Sequence, residues 1–97
     1  MDGPAIELAN GLKKWYVDGL LHRDNGLPAI ENTDGSFEWY ENGLLHRIDG
    51  PAVENFNGLQ EWWFQGVQYP SQKVLNSIVL FDKLNDKLTE KLVVKRS

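Results

Sequence analysis

The chain has no cysteine among its 97 residues. That excludes disulfides, thiolate metal sites and cysteine nucleophiles, and it fits a reducing cytosol. Basic side chains are scarce over most of the length. Residues 1–70 hold 4 basic and 11 acidic side chains, a balance of −7, whereas residues 71–97 hold 6 basic and 3 acidic ones, a balance of +3. Phosphates would meet a surface of their own sign on the acidic part, so direct nucleic-acid binding is not expected, and a protein with a basic surface is the better match. The same acidic excess would also aid solubility. Long hydrophobic runs are missing too. The longest, 78–81, is far too short to cross a bilayer, so a membrane partner is not expected. The opening Met-Asp-Gly-Pro has neither a basic start nor an apolar run, so no secretory signal is expected and the location reads as cytoplasmic.

Catalytic signatures are equally sparse. There is no G-x-S-x-G and no Gly-rich phosphate loop ahead of a helix, and the chain reads as a non-enzyme without a cofactor. His22 and His46 form no H-x-H or H-x-x-x-H pair. If they occupy equivalent places in neighbouring two-strand units, they lie roughly 9.6 Å apart, two interstrand spacings. A zinc ion needs its ligands about 2 Å away, so no metal site is expected and each imidazole should instead satisfy loop backbone or pack beside its own Trp.

What the chain does have is a repeat of about 23 residues. Gly3-Pro4-Ala5-Ile6-Glu7 returns as Pro28-Ala29-Ile30-Glu31 and as Gly50-Pro51-Ala52-Val53-Glu54. Trp15-Tyr16 returns as Trp39-Tyr40 and Trp62-Trp63. Gly19-Leu20-Leu21-His22-Arg23 returns as Gly43-Leu44-Leu45-His46-Arg47, then decays to Gly66-Val67-Gln68-Tyr69-Pro70. Leu27 is the extra residue that makes the first Trp interval longer than the second. A unit this short cannot bury an apolar face alone, so neighbours must stack.

Each unit reads as a hairpin and a return. A strand opened by Pro4, Pro28 or Pro51 runs to a tight turn at Asn10-Gly11, Asp34-Gly35 or Asn57-Gly58, where Gly permits positive φ. An aromatic strand follows, and Asp18-Gly19, Asn42-Gly43 or Gln65-Gly66 turns the chain again. The expectation over residues 1–70 is an open antiparallel meander of three repeats with about six principal strands. Alternation puts Trp15, Trp39 and Trp62 on one face and Tyr16, Tyr40 and Trp63 on the other, beside Glu38 and Glu61. Placing the Ile6, Ile30, Val53 column with the Trp column as the covered face leaves Glu7, Glu31 and Glu54 with Tyr16, Tyr40, Trp63 and Glu38 as an acidic, aromatic binding surface. A one-residue slip would exchange the columns. Arg23 and Arg47 are expected to tie each return loop to acidic residues of the next unit, because a phosphate or carboxylate grip would need two of them to converge.

The period changes after Pro70. Ser71 is a helix N-cap, and apolar residues at 74, 75, 78, 81, 84, 88 and 92 describe an amphipathic helix over 71–97, breakable near Asn85-Asp86, that caps the sheet. A last strand over 91–95 is the alternative.

Trp39-Tyr40-Glu41-Asn42-Gly43-Leu44-Leu45-His46 and Trp15-Tyr16-Val17-Asp18-Gly19-Leu20-Leu21-His22 resemble a variant of the MORN repeat, a hairpin with an aromatic strand, an Asn-Gly turn and a downstream His. The resemblance covers about 70 of the 97 residues. The chain departs from the usual family where Arg23 and Arg47 replace a Gly after the His. The His-Arg…Gly-Pro-Ala form is similar to repeats in proteins of large bacteriophages and giant viruses. The resemblance implies an open, curved sheet used for scaffolding or recognition, with Trp15, Trp39, Trp62, Gly19, Gly43, His22, His46, Arg23 and Arg47 as repeat residues. It also implies a small virus-encoded protein in the host cytoplasm, where inhibition of a host enzyme or defence complex is the concrete form of binding. Two alternatives stand beside it. One is peripheral phospholipid binding through Lys83, Lys87, Lys91, Lys95 and Arg96; the other is a scaffold that homodimerises edge to edge.

Overall fold

Three loops of one design set the register of the sheet. In the first, the Leu8 amide donates to the Leu12 carbonyl and the Gly11 amide to the Leu8 carbonyl; Asn32, Ser36 and Gly35 repeat this, as do Asn55, Leu59 and Gly58. The closing glycines have φ of 97°, 90° and 89°. The tight turn expected at Asn-Gly and Asp-Gly is thus a three-residue loop, a turn followed by a Gly bulge. Asn10, Asp34 and Asn57 each accept the amide two residues on through Oδ1, the local bond that favours Asn and Asp in turns. The bond from the Ser36 amide holds the exposed Asp34 carboxyl below its usual range.

The computed structural model describes residues 5–96, with side-chain surroundings through residue 86. The chain is mainly β with one C-terminal helix. Unit 1 holds β1 (Ile6–Glu7), β2 (Lys13–Lys14), β3 (Tyr16–Val17) and β4 (Leu20–Leu21); unit 2 holds β5 (Ile30–Glu31), β6 (Phe37–Glu38), β7 (Tyr40–Glu41) and β8 (Leu44–Leu45). Unit 3 holds β9 (Val53–Glu54), β10 (Gln60–Phe64) and β11 (Val67–Tyr69), and α1 (Gln72–Arg96) follows. An open seven-stranded antiparallel sheet runs β1-β2-β5-β6-β9-β10-β11, while β3-β4 and β7-β8 form separate two-stranded ribbons.

The expected open antiparallel meander is present, with seven strands, and in units 1 and 2 the aromatic strand divides at Trp. The Trp15 amide donates to Ala29 O of the next unit while the Trp15 carbonyl accepts the His22 amide; Trp39 does the same with Ala52 and His46. Ahead of each Trp the strand pairs with the following unit, and beyond it with its own return. In unit 3 β10 runs through Trp62 unbroken.

The loop bulge decides the faces. Ile6 lies opposite Lys14, Lys14 opposite Ile30, Ile30 opposite Glu38, Glu38 opposite Val53 and Val53 opposite Glu61. The other row is Glu7, Lys13, Glu31, Phe37, Glu54 and Gln60. Directly paired residues share a face, and the extra loop residue moves the register by one. The Ile/Val column therefore sits with Tyr16, Tyr40 and Trp63, and the column of Glu7, Glu31 and Glu54 sits with the Trp residues. This reverses the expected arrangement.

At the C-terminal end Ser71 caps the helix, its Oγ accepting the Val74 amide at 3.3 Å. With no Gly or Pro between 72 and 96, nothing stops propagation; the helix continues through Asn85-Asp86, and 91–95 is helical rather than a strand. Leu75 and Val79 pack against Phe64, with Trp62, Tyr69 and Ile78 around them. The helix thus covers the Trp side, at unit 3. Leu75 is fully enclosed whereas Leu84 is 54% exposed. Leu75→Ala is expected to cost about 3 kcal/mol in chemical unfolding, and Leu84→Ala less than about 0.5 kcal/mol.

Candidate functional site

Two sets of repeat residues carry the candidate chemistry, one on each side of the sheet. On the Trp side, the Arg23 guanidinium lies 3.6 Å from the Trp15 ring centroid and that of Arg47 3.9 Å from Trp39. Arg23 Nη1 donates to Pro28 O at 3.2 Å and Glu31 Oε2 at 2.9 Å. Arg47 Nη1 donates to Pro51 O and Glu54 Oε2, both at 3.0 Å, and its Nε to Asp49 at 3.2 Å. Each guanidinium is stacked on its own unit's Trp and bonded to the next unit's first strand, the tie anticipated from sequence. A planar fork on an aromatic face is a role that Lys cannot fill. Gly50 lies so close beneath Arg47 that an added Cβ would come within 2.8 Å of Cζ.

The histidines join units as well. His22 Nδ1 accepts the Asn42 amide at 3.2 Å and His46 Nδ1 accepts the Gln65 amide at 3.0 Å, across one unit boundary each. The opposite nitrogens face carboxylates, His22 Nε2 at 2.8 Å from Asp24 and His46 Nε2 at 3.0 Å from Glu41. An Nδ1 that accepts and an Nε2 that meets a carboxylate fix the Nε2–H tautomer. Both rings border one open groove of about 400 Å³, but neither offers it a nitrogen without a partner. Among the described residues no group of three His, Asp or Glu could hold a metal ion.

Glu7, Glu31 and Glu54 are thus drawn away from the proposed binding residues. Glu31 and Glu54 are tied up by Arg23 and Arg47, and Glu7 lies 3.9 Å from Lys13 Nζ. All three sit on the side opposite Tyr16, Tyr40 and Trp63. Only Glu38 stays with the rings.

On that second side the three aromatic residues occupy equivalent positions and are half-buried. The Tyr40 hydroxyl donates to Glu38 Oε1 at 3.0 Å, and Trp63 Nε1 donates to Glu61 Oε1 at 3.0 Å. Asn32 Nδ2 holds the other Glu38 oxygen at 3.1 Å. The carboxylates anchor these two rings and present negative charge beside them. Glu61 and Asn32 were not among the expected site residues. Glu61 precedes Trp63 by the same two positions that separate Glu38 from Tyr40, a signal the repeat carried; Asn32 gave none, since its contact depends on the loop bulge.

No protein-family model, curated protein or solved structure matches the chain. Of the cations of the lipid alternative, Lys83 is exposed on the helix, and Lys87, Lys91, Lys95 and Arg96 have side chains outside the described residues. No helix among the described residues is long and apolar enough to cross a membrane.

Two measurements check this geometry. Nitrogen NMR should find His22 and His46 as the Nε2–H tautomer in the folded chain at neutral pH. Burial, followed by the bond to Glu38, pushes the Tyr40 phenol up to about 12. Between about pH 10, the unfolded value, and about 12 the unfolded chain sheds this proton while the folded chain keeps it, so stability falls as pH rises. Tyr40→Phe should flatten that part of the stability profile.

Proposed function

We propose that the chain is a non-catalytic protein-binding module. It recognises a basic surface through Tyr16, Tyr40 and Trp63 together with Glu38 and Glu61. The observation that carries this reading is the row of three rings at one register on the side left bare by the helix, two of them anchored by carboxylates. Rigid aromatic rings supply contact area at small entropic cost, and neighbouring carboxylates select a cationic partner. The Trp side is less suited, because its charges are already spent in bonds between units.

The MORN-like pattern supports the same class of role, recognition or scaffolding by an open sheet. In its concrete form the protein is virus-encoded and blocks a host enzyme or defence complex in the host cytoplasm. An acidic surface does this by occupying a site built for nucleic acid.

Selection from a random peptide display library against the full chain tests the reading. Enriched sequences should be rich in Lys and Arg, and Trp63→Ala combined with Tyr40→Ala should weaken them tenfold or more, about 1.4 kcal/mol. Lys73→Ala on the helix should leave affinity unchanged. Enrichment of acidic or purely apolar peptides, or full affinity in the double variant, contradicts the proposal.

A further inference from the structure

The joints between units match position by position, and one surface of unit 1 lacks such a joint among the described residues. At both internal joints the later unit's second turn is held by the earlier unit's return. The Asn42 amide reaches His22 Nδ1 and the Gly43 amide reaches Leu21 O; the Gln65 amide reaches His46 Nδ1 and the Gly66 amide reaches Leu45 O. The first Leu of the earlier return lies over the glycine, so that a Cβ on Gly43 would meet Leu20 at 3.4 Å and one on Gly66 would meet Leu44 at 3.3 Å.

Unit 1 has the same turn and none of these partners. Asp18 and Gly19 have φ of 52° and 80°, against 53° and 84° at Asn42 and Gly43. Their amides meet no acceptor among the described residues, and the space over Gly19 is open. The strand edge below has no partner on its outer side among the described residues. β1 pairs only with β2, whereas β5 and β9 are each flanked on both sides. Ala29 and Ala52 are fully enclosed while Ala5 is exposed, and Ile6 is 40% exposed against 7% for Ile30.

We infer that the β1 edge with the Asp18-Gly19 turn is a docking site for one further hairpin unit of the same repeat chemistry. Its return must carry Leu-Leu-His: the first Leu to cover Gly19, the second to offer its carbonyl to the Gly19 amide, and an imidazole Nδ1 for the Asp18 amide. This continues an interface the chain already builds twice, and unpaired strand edges are common sites of such addition. A second copy stacked head to tail cannot supply these groups. His22 and His46 are engaged, and the corresponding end of unit 3 reads Val67-Gln68-Tyr69, without His, paired in β11 and followed by the helix. A second copy placed head to head could pair strand edges but would bring no free imidazole to the Asp18 amide, because His22 and His46 are engaged. The inference does not depend on the aromatic surface, which lies on the face of the sheet.

Hydrogen exchange on the full chain supplies the test. Asp18 and Gly19 amides should exchange at least about 100-fold faster than those of Asn42 and Gly43, which are held by the joint. A duplicate of residues 26–49 spliced directly ahead of Gly3 reproduces the joint between units 2 and 3, and should slow both amides about 100-fold or more. Changing the duplicate's copy of His46 to Ala should restore fast exchange at Asp18 while Gly19 stays slow. Slow exchange of both amides in the unextended chain overturns the inference. So does a duplicate that leaves them fast, or one that stays unfolded beside a folded remainder. Sedimentation of the unextended chain as a dimer that Ile6→Lys disperses would assign the edge to a second copy, which also overturns it.

Discussion

Everything in this structure depends on a handover at tryptophan. Trp15 and Trp39 give their amides to the next unit and their carbonyls to their own return. One short segment therefore serves two ladders, and no unit completes its hydrogen bonding without a neighbour. The sheet strands outside unit 3 are only two residues long, too short to persist alone. Their stability must come from the joints, where an arginine stacked on one unit's Trp bonds the next unit's Glu and a histidine holds the next unit's turn. The result is an open sheet in a molecule 17 Å across its thinnest dimension, with its one hydrophobic cluster among the described residues under the helix.

That economy of core explains how charge is used. In the repeat body, acidic side chains outnumber basic ones, yet both arginines there are committed to joints. The remaining acidity is left on turns and on the aromatic side, where Glu38 and Glu61 hold rings in place. Partly buried ion pairs of this kind contribute through geometry as much as through Coulomb attraction, because each guanidinium also satisfies a half-buried proline carbonyl. The helix then closes one end with apolar contact, Leu75 and Val79 on Phe64, while the other end keeps the unfinished form of the joint. A sheet built this way has an aromatic face fixed by its own architecture and two ends that differ chemically.

Much of the fold was legible in the sequence. The unit length, the three hairpins, the turns at Asp18-Gly19, Asn42-Gly43 and Gln65-Gly66, the Ser71 cap and the helix all follow from residue type and spacing. The link from Arg23 and Arg47 to the next unit's acidic residues was legible too, since repeated partners at one offset leave few other choices. The faces were not. Asn10-Gly11 and Asp34-Gly35 suit a two-residue turn and a bulged three-residue loop alike, and the choice between them moves every side chain to the opposite side. That ambiguity detached Glu7, Glu31 and Glu54 from the aromatic site and hid Asn32 from it. The break at Trp was also unreadable, because local propensity continues the strand and only the competition between two partners interrupts it.

A double-mutant cycle between Arg47 and Glu54, read by equilibrium unfolding of the full chain, tests the joint most directly. If units are held together as described, the two substitutions to Ala are coupled by about 1 kcal/mol or more. Additive effects, with coupling below about 0.3 kcal/mol, would mean that the units stand without this tie and would contradict the account.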